Sequence, residues 1–475
     1  MTQYRPLAAV VLAAGEGTRM RSGTPKVLHP LCGRPMVLHV VDALAELPLE
    51  RIVIVVGHGA ERVTKTLQEQ LATEVRVDFV EQRVQRGTGD AVSVALTVLE
   101  DLDVEDDILV LPGDAPLVRA ETIARLATEH RVADAAATVL TAHVPDPTGL
   151  GRVVRDRNGL VEHIVEHSDA TAEELEIDEI NTSIYCFRRN LLAPALRRLS
   201  PENAQGEYYL TDAIGVLRGA GHRVIAISAP DPAEAIMVND RAQLAEAEAE
   251  LRARINRSWM RDGVTMVDPS RTYIDATVEI DPDVRLLPGT ILEGRTSIGA
   301  GSVVGPDCHL VDAIVGERTN ISMSTVRDAE IGDDCDVGPF AYLRPGARLA
   351  SGAKVGTFVE VKNSDIGEGA KVPHLSYVGD AEIGPGTNLG ASTITANYDG
   401  VHKHRTKIGK GVHTGVHTSL RAPVELGDGA ETGAGSVVTN DVEPGTLVKG
   451  VPARPAGPAS KSEKGAGKSR DGKSG

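Results

Sequence analysis

Short runs of branched apolar residues punctuate the first half of the chain. Residues 7–12 (LAAVVL), 51–56 (RIVIVV), 75–80 (VRVDFV) and 108–111 (ILVL) read as buried strands. Helix-like stretches at 36–47 and 90–99 lie between them. This alternation predicts a doubly wound α/β domain with a mainly parallel sheet. Ligands in such sheets bind beyond the carboxyl ends of the strands. Three glycine-bearing turns lie there: Gly15-Glu16-Gly17, Gly57-His58-Gly59 and Pro112-Gly113-Asp114.

Around residue 237 the pattern changes. Residues 242–261 are rich in Ala, Leu, Glu and Arg, so helix propensity is high, and Leu244, Leu251 and Ile255 form one apolar stripe. The only tryptophan, Trp259, is expected to pack where this helix meets the next domain. Beyond it the period is six. Ile331, Val337, Leu343, Leu349, Val355 and Val361 recur without a break, often followed by glycine, and the series continues with slips on either side. Period six fits neither a helix nor an amphipathic strand. It is the hexapeptide repeat of a parallel β-helix, with each aliphatic residue pointing into the prism. The stretch 361–397 carries the polar residues that interest chemistry, and 401–406 (VHKHRT) is too polar for the interior and should protrude. The expected segments are a nucleotide-binding domain at 1–236, a joining helix at 237–261, the β-helix at 262–455 and a disordered Gly/Ser/Lys tail at 456–475.

At 475 residues the chain is long enough for two or three domains. Its 3% aromatic content and 49 glycines fit a second architecture with a narrow interior suited to Ile, Val and Leu. A net charge of -17 argues against nucleic acid as a main partner. Cys32, Cys186, Cys308 and Cys335 are widely spaced and read as reduced thiols rather than a disulfide framework or zinc site. The first apolar run is too short for a membrane span and has no signal-peptide layout. These features predict a soluble, cytoplasmic protein with no membrane partner.

Candidate chemistry begins at 12–26, LAAGEGTRMRSGTPK. Two glycines let backbone N–H groups close on an anion, Arg19 adds a planar fork and Lys26 a point charge. The set suits a nucleoside triphosphate, although the loop is neither a Walker A sequence nor a full GxGxxG. Asp114, at the end of the fourth strand, could hold Mg²⁺ or cap the next helix; beside this loop the metal reading is favoured. An amide such as Gln82 can read a base edge, and Gly87-Thr88 follows five residues on. The string LAAG-x-G-T-R-M…P-K resembles the signature of sugar-1-phosphate nucleotidyltransferases. So do the Gln82 spacing, Gly149-Leu150-Gly151-Arg152, Ile164-Val165-Glu166 and Glu179-Ile180-Asn181-Thr182. That resemblance implies that Leu12, Ala13, Gly15, Gln82, Gly87 and Thr88 hold uridine, and Arg19 and Lys26 the phosphates. Gly151, Glu166 and Asn181 would hold the sugar, and Asp114 and Asn239 the Mg²⁺. Asn239 also reads as an N-cap for the joining helix.

In the second half, His374 stands in KVPHLSYVGD. A neutral imidazole near pH 7 suits proton removal, but with 14 histidines the residue type alone singles out none. The string HLSYVGDAEIG, then Asn388 and Asn397-Tyr398-Asp399-Gly400, extends the resemblance over about 450 residues. It is now to the bifunctional N-acetylglucosamine-1-phosphate uridyltransferase / glucosamine-1-phosphate N-acetyltransferase family of peptidoglycan precursor synthesis. The resemblance implies a left-handed β-helix, a homotrimer, and two reactions. Acetyl-CoA acetylates glucosamine-1-phosphate, then UTP uridylylates N-acetylglucosamine-1-phosphate with Mg²⁺ as cofactor. His374 would be the acetyl-transfer base, with Arg344, Lys362, Tyr377 and Asn388 on the sugar phosphate. Ala391, Asn397, Tyr398, Val416, Ala434 and Lys449 would line the acetyl-CoA site. Val416 stands where many relatives have serine, Ser392 where glycine is usual, and the family's last arginine has only Lys449 and Arg454 as candidates. Two alternatives stay open. One is a single-activity pyrophosphorylase with the β-helix as scaffold, against which the HLSY and NYDG strings speak. The other is a non-enzymatic β-helical assembly module, against which the intact 15–26 loop and Asp114 speak.

Overall fold

The computed structural model describes residues 6–99 and 106–458. The chain forms two compact units, divided between Leu251 and Arg252 within one helix.

The first unit is built on a nine-stranded sheet. The four expected strands are present as β1 (Leu7–Ala13), β2 (Arg51–Val56), β3 (Arg76–Glu81) and β4 (Asp107–Pro112). They are followed by β5 (Ala137–His143), β6 (Arg152–Arg155), β7 (Val161–Val165), β8 (Glu179–Arg188) and β9 (Val224–Ser228). The order is β9-β5-β8-β4-β1-β2-β3, with β6 and β7 paired beside β8. Residues alternate between two cores along β1. Ala9 and Val11 pack with α1 (Met36–Ala45), α2 (Ala60–Gln70) and α4 (Ala120–Val132). Ala8 and Val10 pack with α3 (Thr88–Val98) and α5 (Asp212–Gly219). A strand covered on both faces must be apolar throughout, which is why its sequence shows no alternation.

Two expectations need correction here. The 75–80 strand is not buried: β3 has a neighbour on one side only and is half-exposed along its length. The sheet is mixed, because β8, the longest strand, runs antiparallel to β4 and β5. Apolar periodicity reports burial and carries no information on strand direction.

The joining helix α6 spans Arg241–Arg261. Its cap is Asp240, not Asn239: the Asp240 Oδ1 accepts from the N–H groups of Ala242 and Gln243, both at 2.9 Å. Its apolar stripe serves two cores. Leu244 and Leu251 join Leu31, Met36, Leu117 and Val238 in the first unit. Ile255 and Trp259 pack on the core of the second.

The second unit is a left-handed parallel β-helix with three faces of seven, ten and nine short strands. In the clean stretch Val337 lies beside Val355 and Leu343 beside Val361, one coil of three hexapeptides apart. All six residues of the unbroken series are buried. A second inward position, two residues before the aliphatic, is small in most rungs. Thr290, Thr296, Ser302 and Thr319 occupy it, and each donates its hydroxyl to a backbone carbonyl at 2.7–2.8 Å. Cys308 and Cys335 hold the same kind of position, with Sγ 3.4 and 3.3 Å from a carbonyl oxygen. The glycines after the third-face aliphatics permit close stacking of the coils. A Cβ on Gly384 would lie 2.4 Å from the Gly409 carbonyl carbon.

The stretch 361–397 is regular coil: Val361 pairs with Val378 and Ile366 with Ile383. The candidate side chains Lys362, His374 and Tyr377 stand beside the inward residues of ordinary rungs. Only the 401–405 region leaves the prism, where Val401 is 76% exposed and the ladder closes behind it from Ile383 to Ile408. At the end, Ala453–Pro458 pairs antiparallel with Thr446–Gly450, so ordered strand continues past the expected start of the tail. Residues 459–475 lie outside the described residues.

Two candidate active sites

A cleft of about 610 Å³ opens beyond the carboxyl ends of β1 and β4. Leu12, Ala13, Gly15, Lys26, Gln82, Gly87, Thr88 and Asp114 all line it. Two of its glycines are dictated by geometry. Gly17 has φ +64°, and a Cβ there would sit 2.6 Å from the Lys26 Cβ. Gly87 has φ +104°, and a Cβ there would sit 2.6 Å from the Tyr208 carbonyl oxygen. Gly15, by contrast, faces open space, as a backbone that a ligand approaches should.

Around Lys26, two oxygen-bearing residues far apart in sequence, Asp114 and Asn239, share one cation. The Lys26 ammonium pairs with the Asp114 carboxylate and lies 2.8 Å from Asn239 Oδ1. Arg19 donates to the same Asn239 oxygen at 3.1 Å. Asp114 and Asn239 therefore already converge on a positive charge. One carboxylate and one amide oxygen suit a hard divalent cation that keeps several waters, so the residues fit Mg²⁺.

At the base end Gln82 is buried. Its Nε2 donates to Gly87 O at 3.1 Å and to Asp90 Oδ2 at 2.8 Å. With both N–H groups spent, its Oε1 remains as an acceptor for a base edge.

At the sugar end, Asn181 N donates to Gly151 O at 2.9 Å, and Glu166 Oε1 accepts from Thr211 Oγ1 at 3.1 Å. Asn181 and Glu166 are not the solvated residues their types suggest. Asn181 is buried, donating to the hydroxyl of the fully buried Tyr185 at 2.8 Å. A bulge in β8 between Asn181 and Tyr185, with Ser183 at φ +59°, aims it. Burial raises the Glu166 pKa, Thr211 opposes the shift, and Asp212 and Asp169 add to it.

Sequence reasoning missed two supports. Buried Arg152 donates to Pro147 O at 2.7 Å and to Leu150 O, folding the turn that presents Gly151. The 208–211 segment ties the two ends of the cleft together: Tyr208 O accepts from Gly89 N, Leu210 N donates to Thr88 Oγ1, and Thr211 holds Glu166. Arg152 was visible as the arginine of a GxGR string; the 208–211 segment left no local signal.

In the second unit the expected acetyl-site residues spread over the seven- and ten-stranded faces, their corners and the terminal hairpin. His374 ends the first-face strand Lys371–His374, just before the corner at Leu375, and is exposed. Asn388 lies on the same first face, bridged to Lys371 and His413. Tyr377 starts the next strand, and its hydroxyl lies 3.5 Å from Asn397 Nδ2. Lys362 and Asn397 lie at the opposite corner, around Asp380. Arg344 pairs with Glu360 at 2.7 Å. The exposed Tyr398 leads into the protruding loop, its hydroxyl on Gly400 O at 2.6 Å. Ala391 O accepts from His417 N at 2.7 Å, and Val416 is exposed beside it. Ala434 stacks under Gly415, and Lys449 lies in the terminal hairpin opposite Arg454. Among the described residues, none hydrogen-bonds the His374 ring; it is not joined to Arg344, Lys362 or Asn388. A separate groove of about 660 Å³ follows the third face, and none of these residues lines it.

Among the described residues no helix is long and apolar enough to cross a membrane. Residues 9–213 match the MobA-like NTP transferase domain family. Over most of its length the chain is similar to three proteins each named "Bifunctional protein GlmU". That of Thermobifida fusca is 52% identical over 449 residues, covering 94% of this chain and 92% of the relative. That of Brevibacillus brevis is 50% identical over 439 residues, covering 92% and 94%. That of Streptomyces coelicolor is 50% identical over 448 residues, covering 94% and 92%. With a nucleotide cleft in one unit, a β-helix in the other and identity of this extent across both, the chain belongs to the family of the bifunctional protein GlmU.

Proposed function

We propose that the two units carry out separate transfers with the residues gathered above, the product of the second unit being the substrate of the first. The chain is a bifunctional transferase that makes UDP-N-acetylglucosamine. In the β-helix unit the amine of glucosamine-1-phosphate attacks the acetyl-CoA carbonyl carbon. The C–S bond breaks and the thiol leaves. His374 takes the proton from nitrogen. Lys362 and Arg344 hold the phosphate, with Tyr377 and Asn388 on the sugar. Asn397, Tyr398, Ala391, Ala434, Val416 and Lys449 line the acetyl-CoA path.

In the first unit an oxygen of N-acetylglucosamine-1-phosphate attacks the α-phosphorus of UTP and pyrophosphate leaves. No protein base is needed, since the attacking phosphate is already an anion. Lys26 and Arg19 hold the phosphates; Gln82, Gly87, Thr88, Leu12, Ala13 and Gly15 hold the nucleoside; Gly151, Glu166 and Asn181 hold the sugar. Asp114 and Asn239 would hold Mg²⁺, which when bound neutralises charge on the triphosphate and its leaving group. The reading is carried by convergence: Lys26, Asp114 and Asn239 meet around one charge although up to 213 positions separate them.

The chain is further proposed to act as a cytoplasmic homotrimer. Its substrates and four buried thiols support the location. An exposed apolar column at the corner beside His374 supports association. Met323, Phe340, Phe358 and Leu375 stand there on successive coils, Phe340 and Phe358 stacked 5.4 Å apart.

The test measures thiol release from acetyl-CoA with glucosamine-1-phosphate, and uridylyl transfer separately, in wild type and His374→Ala. Loss of the first activity alone supports two sites and the base. A wild type that releases no thiol but transfers uridylyl groups would leave the β-helix as scaffold.

A further inference from the structure

One carboxylate in the β-helix has no part in the scheme above yet lies against two of its residues, Lys362 and Asn397. Asp380 stands at the corner that ends the strand Tyr377–Gly379, 7% exposed, with φ +50°. The same corner carries Asp312, Asp328 and Asn363 on earlier coils, so a short polar side chain suits its left-handed backbone, which is held by Asp380 N to Lys362 O at 3.0 Å and Thr406 N to Asp380 O at 3.1 Å. Both carboxylate oxygens are committed. Oδ1 accepts from Asn363 Nδ2 at 2.6 Å, and Oδ2 accepts from Asn397 Nδ2. The Lys362 ammonium lies 3.9 Å from Oδ2.

We propose that Asp380 is a positioning residue that sets the sugar-phosphate and acetyl-CoA subsites together, by fixing Asn397 and steadying Lys362. This rests on the roles given to Lys362 and Asn397 above. The chemistry follows from donor and acceptor counts. Asn397 spends its amide N–H groups on Asp380 and on the Tyr377 hydroxyl. Its Oδ1 is then the atom left for a ligand, an acceptor that fits the amide N–H groups of the pantetheine arm. Without the carboxylate the amide is free to turn over and present the wrong group. Lys362 is steered differently. At 3.9 Å the ammonium feels the charge without giving a short hydrogen bond, so its N–H donors stay available for a phosphate. Burial alone would raise the Asp380 pKa. The Asn363 and Asn397 amides, with Lys362 and Lys403, bring it below the ordinary value, so the group is an anion at neutral pH.

The variants are Asp380→Gly, which keeps the left-handed backbone and removes the carboxylate, and Asp380→Asn, which keeps the shape. Acetyl-CoA affinity is read by calorimetry, kcat and KM by thiol release, and folding by uridylyl transfer and thermal midpoint. The expected result for Asp380→Gly is a tenfold or greater loss of acetyl-CoA affinity and a raised KM for glucosamine-1-phosphate, with uridylyl transfer unchanged. Asp380→Asn should fall between it and wild type. Asn397→Ala added to Asp380→Gly should cost little more than either change alone, because they break one unit. A merely structural corner predicts additivity, or affinities within twofold of wild type; either overturns the proposal. If Asn397→Ala alone leaves acetyl-CoA affinity unchanged, the Asn397 assignment falls and takes the proposal with it. An effect of Asn397→Ala without one of Asp380→Gly overturns the proposal only.

Discussion

The two units solve the same problem, holding polar side chains at fixed points, in opposite ways. In the first, function lies in loops after the strands, where the chain makes close approaches that only glycine permits, as at Gly17 and Gly87. In the second, the residues proposed for function lie on rungs that repeat one inward aliphatic position. The left-handed corners show the contrast. The β-helix places Asp312, Asp328, Asn363 and Asp380 at one corner and Met323, Phe340, Phe358 and Leu375 at another, all with φ between +44° and +58°. Side chains survive there because the neighbouring coils hold the backbone on both sides, as Phe340 N does on Met323 O at 2.8 Å. A repeat that fixes its backbone this often leaves corner side chains free for other work, which is the role proposed for Asp380.

The sharpest break between the units is a reciprocal pair of variants. Asp114→Ala should lower uridylyl transfer about 10²–10³-fold, the usual scale for a lost electrostatic group, and leave thiol release unchanged. His374→Ala should do the reverse. A change in both activities from either one would show that the sites are coupled. Next comes association: Phe340→Asp with Phe358→Asp should turn a trimer into monomers by light scattering while uridylyl transfer persists. A variant that stays trimeric would move the interface to another face.

Stability separates the units too. Leu343→Ala opens a cavity in a prism with few ways to collapse, at a cost of about 2–5 kcal/mol. Heat should then abolish acetyl transfer at lower temperature with uridylyl transfer outlasting it. The left-handed positions give a smaller contrast. Gly87→Ala should cost about 1–3 kcal/mol and weaken UTP binding, since a Cβ meets Tyr208 O. Asp328→Gly, at a corner that tolerates side chains, should stay within about 0.5 kcal/mol of wild type.

The sequence made these two architectures unequally legible. The period of six placed Ile331 through Val361 inside the prism, because each coil repeats one local rule. It did not show the second inward column, where Thr, Ser, Ala and Cys alternate too irregularly to make a pattern. In the first unit β1, β2 and β4 were visible as apolar runs, but the antiparallel β8 was not, since direction is set by distant pairing. Among the candidate site residues, Asp114 was readable as chemistry at a strand end and Lys26 as a charge in the loop after β1. Asn239 was not separable from a helix cap until Asp240 was seen to fill that role. Thr211 and Asp380 escaped because their importance lies in what they hold, Glu166 and Asn397, across 45 and 17 positions.

The finest test sets the pH responses of the two activities against each other. Burial raises the folded-state pKa of Glu166, with Asp212 and Asp169 adding to the shift and the Thr211 hydroxyl opposing it. A carboxyl raised in this way is destabilising above its folded pKa and relieved as pH falls through it, the reverse of a salt-bridged acid. Protonation also removes an acceptor for sugar hydroxyls, so kcat/KM for uridylyl transfer should fall on the acid side as that group titrates. Thr211→Val deletes the one bond that favours the anion. The acid limb should therefore move to higher pH, with the alkaline plateau nearly unchanged, and Thr211→Ser should move it back. Acetyl transfer by the same Thr211→Val protein should keep its wild-type profile, because Glu166 belongs to the other unit. A limb that stays in place would show that Glu166 does not hold the sugar as a carboxylate; a shift in both profiles would show that the variant has loosened the fold.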